Sequence, residues 1–289
     1  MTNLAARRWV LPGMSTAPHP TIMRVTRWVA AAVILFLLDA AQILLLVPDR
    51  TAELFAWPID PEITSMVLGA AYVGGGYYFA RVVLADGWHR VAAGLPPVIL
   101  FVWLAALATA LHTDKFTPGL PFAAWAAIYA VAPIGLPVLL LAQRRAAPPD
   151  VPLPRAVRLA LGAVGGAVTV AALIAFALPE AMSDIWPWTL SPLTARIVAT
   201  VAALFGAVWL SVAATGGRTA ARIPLQAHGV GLAFLLLAAV RGGEDVDWTN
   251  PLAAALVTGT AVLLIADLAL AAPETARPAP LAAAVAVQR

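Results

Sequence analysis

The chain has no cysteine, a single lysine and few charges of any kind: Asp, Glu, Lys and Arg make up 11% of its 289 residues. Without cysteine there is neither a disulfide framework nor a thiolate metal site. The four histidines, His19, His89, His112 and His228, stand apart with no HExxH or other paired metal spacing. No Walker loop, GxSxG elbow or dinucleotide fingerprint is present. A haem held between two helices is disfavoured because His112 and His228 fall at different depths. No metal and no cofactor is therefore expected. A soluble domain carries about a quarter charged residues, so this chain lacks the polar surface that water requires.

What is there instead is apolar. Hydrophobic residues make up 62% and the mean hydropathy is +0.87. Eight long runs, 28–47, 63–84, 91–111, 122–142, 156–178, 193–214, 223–240 and 251–272, are each long enough to cross about 30 Å of hydrocarbon. Lipid offers no hydrogen bonds, so these must be helices; a β-barrel would alternate in segments of about ten residues. The first run holds Asp39 and Gln42 and has no small-residue cleavage site after it, which reads as a retained span rather than a signal peptide. The expected fold is all-α, a polytopic membrane protein.

The loops set an orientation. With the N-terminus inside, 14 of the 18 basic residues lie on the cytoplasmic side and 10 of the 15 acids outside. The positive-inside rule thus predicts a multi-pass protein of the plasma membrane with both termini cytoplasmic. The same rule accounts for a pI near 9.8 without nucleic acid, which is not expected as a partner. Seventeen Arg against one Lys, with abundant Ala, reads as a GC-rich bacterial composition.

Shifting the first four spans by 131 residues nearly superimposes them on the last four. Because four is even, the expected arrangement is two parallel four-helix repeats. The organisation is then an N-terminal segment 1–27, a first repeat 28–142, a linker 143–155, a second repeat 156–272 and a tail 273–289. The linker QRRAAPPDVPLPR is expected to be extended, and residues 1–20 and the tail mobile.

One motif echoes across that shift: WPIDPEITS at 57–65 and WTLSPLTA at 188–195. Four spans begin at the outer face after a cap residue and a proline: Asp60–Pro61, Thr117–Pro118, Ser191–Pro192 and Asn250–Pro251. Trp57, Phe116, Trp188 and Trp248 precede them at headgroup depth. The bland reading is a cap with an interfacial anchor. The functional reading is an outer vestibule rimmed by Trp57, Asp60, His112, Asp114, Trp188, Arg196 and Asp245, suited to a cation, a sugar or a lipid headgroup.

Inside the spans, an ionisable residue costs at least about 2.5 kcal/mol to insert and marks a candidate site. Asp39 stands about 18 Å beyond Arg27 at 1.5 Å per residue, with Gln42 on the same helical face. His228 and Asp267 lie on one hairpin at similar depth, and Arg81 ends near that level. Asp39 is read as facing a polar cavity, and Asp39, Gln42, His228 and Asp267 as a substrate or ion path. The bland alternatives are a snorkelling Arg81 and interhelical struts. Gly74, Gly75 and Gly76 read as helix packing or as an unwound segment, while Pro96–Pro97, Pro133 and Pro137 are candidate kinks.

Three function classes follow: a transporter for a small solute or lipid; an accessory scaffold subunit with a partner membrane protein or as a homo-oligomer; and a membrane enzyme using His112 and Asp114. Absence of a visible nucleophile ranks the enzyme last. Membrane lipid is the expected common partner.

Overall fold

The computed structural model describes residues 21–144 and 150–272; the tail, most of the N-terminal segment and residues 145–149 of the linker lie outside the described residues. Ten α-helices follow in order: α1 (Arg24–Leu46), α2 (Thr51–Leu54), α3 (Glu62–Leu84), α4 (Leu95–Leu111), α5 (Leu120–Ala142), α6 (Arg155–Ala177), α7 (Pro179–Ile185), α8 (Pro192–Thr215), α9 (Arg218–Arg241) and α10 (Pro251–Ala271). All but α2 and α7 are long and apolar enough to cross a membrane, counting the 3₁₀ turn Ala92–Gly94 with α4. The chain is a multi-pass, all-helical membrane protein with no strand among the described residues.

Most expected span limits hold within a few residues. The exception is the seventh, which begins at Arg218 rather than 223, because Pro224 falls in its second turn without breaking it. The Asp150 carboxylate accepts from the Thr219 and Ala220 amides at 3.0–3.2 Å and so serves as a distant N-cap. Pro96 and Pro97 occupy the first turn of α4, where a missing N–H is harmless, so they do not kink it. Pro133 and Pro137 lie within a continuous α5. The short helices α2 and α7, each following the end of a span, were not anticipated.

Caps divide similarly. Ser191 forms a capping box with Thr194, and Asn250 accepts from Leu252 N. Asp60 does not cap α3: the cap position is Pro61, and the Ile63 amide donates instead to Asp245 Oδ2 at 3.1 Å. Thr117 does not cap α5, which starts after Gly119.

Two membrane-spanning helices, α3 and α8, form the centre. Helix α3 packs on α1, α9 and α8, while α8 packs on α6, α4 and α9. Helix α5 rests on α4, and α10 on α9. We call the end where α1 begins the basal face and the opposite end the distal face. At the basal face the Arg27 guanidinium donates to the carbonyls of Val83 and Ala85 at the end of α3. Arg158 likewise donates to Ala213 O in the last turn of α8. Cations at helix C-termini satisfy orphan carbonyls and the dipole together.

Glycines decide how near the central helices come. A Cβ at Gly165 would lie 2.7 Å from Gly206 O and Leu210 N, and one at Gly206 2.7 Å from Thr169 N, so α6 and α8 meet backbone to backbone. At Gly74 a Cβ would stand 2.9 Å from Ala227 O of α9. The triple glycine is part of a continuous helix and a crossing point, not an unwound stretch.

A matched pair tests this. Gly74→Ala is expected to destabilise the protein by about 1–3 kcal/mol through overpacking. Gly76→Ala, where an added Cβ meets nothing within 4 Å, is expected to be neutral or to stabilise by up to about 1 kcal/mol through helix propensity. Thermal unfolding of both variants in one detergent checks the contrast.

Candidate functional site

Most of the residues expected to rim a distal vestibule are engaged in packing or hydrogen bonds within the fold. Trp57 is 1% exposed and sits among Phe55, Phe116 and Trp125, with ring centroids 4.9–5.1 Å away. Trp188 Nε1 donates to Thr64 Oγ1 of α3 at 2.9 Å. Arg196 Nη1, in the first turns of α8, donates to His112 Nε2 at the end of α4 at 2.6 Å. Asp245 receives the α3 amide described above. Arg241, at the end of α9, donates to Leu45 O at the end of α1. These bonds stitch the two halves of the chain together across the distal face. Asp60 and Asp114 remain exposed, Asp114 paired with Lys115 at 3.1 Å.

The polar residues within the membrane fall into three places. His228 and Asp267 do meet: Nδ1 lies 2.5 Å from Oδ2, and both residues are almost wholly buried. Trp209 Nε1 of α8 donates to the other carboxylate oxygen at 2.8 Å, so one Asp of α10 joins three helices. His228 Nε2 is buried with no hydrogen-bond partner among the described residues, and Phe205 stands edge-on to the ring at 5.1 Å.

Nearer the basal face, Arg81 does not snorkel. Its Nη1 donates to Tyr77 OH and to Gln226 Oε1 of α9, both at 2.8 Å.

Asp39 and Gln42, expected on an interior path, are exposed on the outer surface of α1. Gln42 Nε2 donates to Leu38 O one turn back at 3.1 Å. Asp39 has no hydrogen bond or ion pair among the described residues. The reason is helical phase: α1 buries Ala30, Ala40, Ala41, Leu44 and Leu45 against its neighbours, and Asp39 and Gln42 lie on the other side.

A large apolar cavity has no counterpart in the sequence reading. It has a volume of about 670 Å³ and lies between α1, α3, α4 and α5, reaching Leu204 of α8. Its wall is made of Val33, Phe36, Phe79, Phe101, Ala132, Leu136 and similar side chains. Polarity enters through Tyr72 and Tyr129, whose hydroxyls are 3.0 Å apart. One of the two protons makes that bond and the other is left to donate. The basal ends of α1 and α5 are tied, since Gln143 accepts from Met23 N at 3.0 Å and donates to Thr26 Oγ1 at 2.8 Å. Above that tie α1 leans on α3 and α5 on α4, leaving a cleft between them. A smaller cavity of about 290 Å³ lies among α3, α8, α9 and α10. The available sequence signal was only the run of small residues around Ala132 and Gly135, which also suits plain packing.

No group of three or more His, Asp or Glu able to hold a metal occurs among the described residues. Comparison of the chain with protein-family models, with curated proteins and with solved structures found no match.

The His112–Arg196 contact is pH-sensitive. Burial lowers the His112 pKa below its ordinary 6.5, and the Arg196 charge lowers it further. A depressed histidine contributes stability that is whole above pH 6.5 and is lost as pH falls from there through the folded-state value. Wild type is expected to lose thermal stability between pH 7.5 and 5, and His112→Gln to lose less over that interval. Parallel melts of the two proteins measure the difference.

Proposed function

We propose that the protein handles lipid: it takes a hydrocarbon chain sideways from the bilayer into the cleft between α1 and α5. The observation that carries this reading is the cleft itself, an apolar volume of ordinary ligand size. Two Tyr hydroxyls, from Tyr72 of α3 and Tyr129 of α5, supply its polar atoms at mid-depth. A chain entering from the basal leaflet would have its headgroup near Arg24 and Arg144. These residues directly follow Met23 and Gln143, the tied pair, and both are exposed. That arrangement suits an anionic headgroup.

The reading includes a duplicated architecture and an orientation. Several pairs of interactions recur at a separation of 130–131 positions: Arg27 and Arg158 on helix ends, Phe55–Trp57 and Trp186–Trp188 ring pairs, and Thr117 N to Ala56 O with Asp247 N to Pro187 O. The packing of α1 on α3 recurs as α6 on α8, and that of α3 on α9 as α8 on α4. These support two parallel repeats about an axis along the membrane normal. The arginine bias of the basal loops supports a cytoplasmic basal face and cytoplasmic termini.

A scaffold role is the second reading, favoured by the exposed Asp39 and Gln42 on α1.

Filling the cleft tests the first reading. Ala132→Phe with Gly135→Leu is expected to remove a stoichiometric co-purifying lipid seen by native mass spectrometry, with little change in melting temperature. Lipid retained at full occupancy by the filled variant counts against lipid capture. Because the chain lacks cysteine, Thr113→Cys on the distal face is expected to react with a membrane-impermeant thiol reagent from outside intact cells. Arg90→Cys on the basal face is expected to react only after lysis.

A further inference from the structure

We propose that α1 is the seam of a parallel homodimer, closed by Asp39 and Gln42. Along its outer surface run Trp28, Ala32, Leu35, Asp39, Gln42 and Leu46, all exposed. Their steps of four, three, four, three and four residues average 3.6, so they form one continuous stripe along the helix, open to a second helix. The large apolar members are among the barest in the protein, with Trp28 76%, Leu35 72% and Leu46 68% exposed. Exposed apolar side chains alone are ordinary against lipid. A carboxyl and a carboxamide among them are not, because lipid gives neither a partner and insertion of the acid is costly.

Asp39 lies fifteen residues from the basal end of α1 and seven from the distal end. That places it about 22 Å and about 10 Å from the two ends at 1.5 Å per residue, well inside the hydrocarbon. The fold does not use it: no hydrogen bond or ion pair reaches it among the described residues. Helix α6, which packs on α8 as α1 packs on α3, has Val170 and Leu173 at the positions 131 residues on, both exposed. The polar pair therefore belongs to the outer face of one peripheral helix and is unnecessary for holding such a helix in place.

The occupant that fits is a second copy of the chain. Every copy takes the same orientation from its own loops, so two α1 helices meet parallel about a two-fold axis, each residue facing its own depth. Asp39 and Gln42 are then self-complementary. The Gln42 amide of one copy donates to the Asp39 carboxyl of the other, and the two-fold axis repeats the bond in reverse. No basic partner is required, and four polar groups leave the lipid together. Interhelical bonds of this kind hold membrane helices together.

The absence of native cysteine makes a clean test. In proteoliposomes, Leu35→Cys and Leu46→Cys are expected to cross-link into a species of twice the chain mass, and Val170→Cys on α6 to remain uncross-linked. Single-molecule photobleaching is expected to show two steps for wild type and for Asp39→Asn, whose amides still pair. Asp39→Leu with Gln42→Leu is expected to weaken association by about tenfold or more, with an unchanged melt as evidence of folding. Single-step bleaching of wild type overturns the proposal. So does cross-linking at Val170 equal to that at Leu35, a Leu35→Cys adduct with a chain of different mass, or a double-leucine variant that stays dimeric. If the double-leucine variant misfolds, the cross-linking pattern of the cysteine variants decides alone. These readouts are independent of lipid occupancy in the cleft.

Discussion

Helices in lipid gain little from hiding apolar surface from one another, since lipid tails are as apolar as leucine. Close backbone approach has to supply the attraction. That constraint shapes this protein at Gly165 and Gly206, where α6 and α8 touch main chain to main chain, and at Gly74, where α3 meets α9. Where close approach is absent, between α1 and α5, a cleft remains. The same physics that brings the central helices together thus explains why this open volume is at the periphery.

Polar groups then fix which helices are neighbours. The bonds from Trp188 to Thr64, Arg196 to His112 and Ile63 to Asp245 all run between the first and second halves of the chain at the distal face. Arg81 to Gln226 does the same toward the basal face. Inside the second half, Asp267 serves His228 and Trp209 at once and ties α10, the least buried span, to two better buried ones. Each of these groups is costly in lipid alone and satisfied only in one arrangement, so together they select a fold rather than merely add stability.

The eight spans were legible from the sequence because crossing a membrane demands a length and a composition that nothing else in the chain imitates. His228 and Asp267 were legible as a pair because a hairpin equates their depths. The fate of Trp57 was not: an aromatic residue before a helix start reads alike whether it faces headgroups or is buried against Trp125. The cap of α3 was hidden for another reason, since its donor of charge, Asp245, is 182 residues from Ile63. The outward aim of Asp39 was also hidden. Helix α1 is apolar nearly all round, so hydrophobic patterning does not say which side it buries. The cleft left no mark because an unfilled space has no residues of its own.

Arg27 and Arg158 each have a second consequence, in the order of assembly. During insertion these charges stand at the aqueous start of a span, where a positive residue holds its side of the membrane. The carbonyls they finally grip belong to a helix that follows more than fifty residues later in the chain, in Val83 and Ala85 for one and Ala213 for the other. Neither grip exists until the next helix has been threaded back to the basal face. One side chain therefore acts first as a topogenic signal and afterwards as a latch, and each latch records that its own hairpin has been completed.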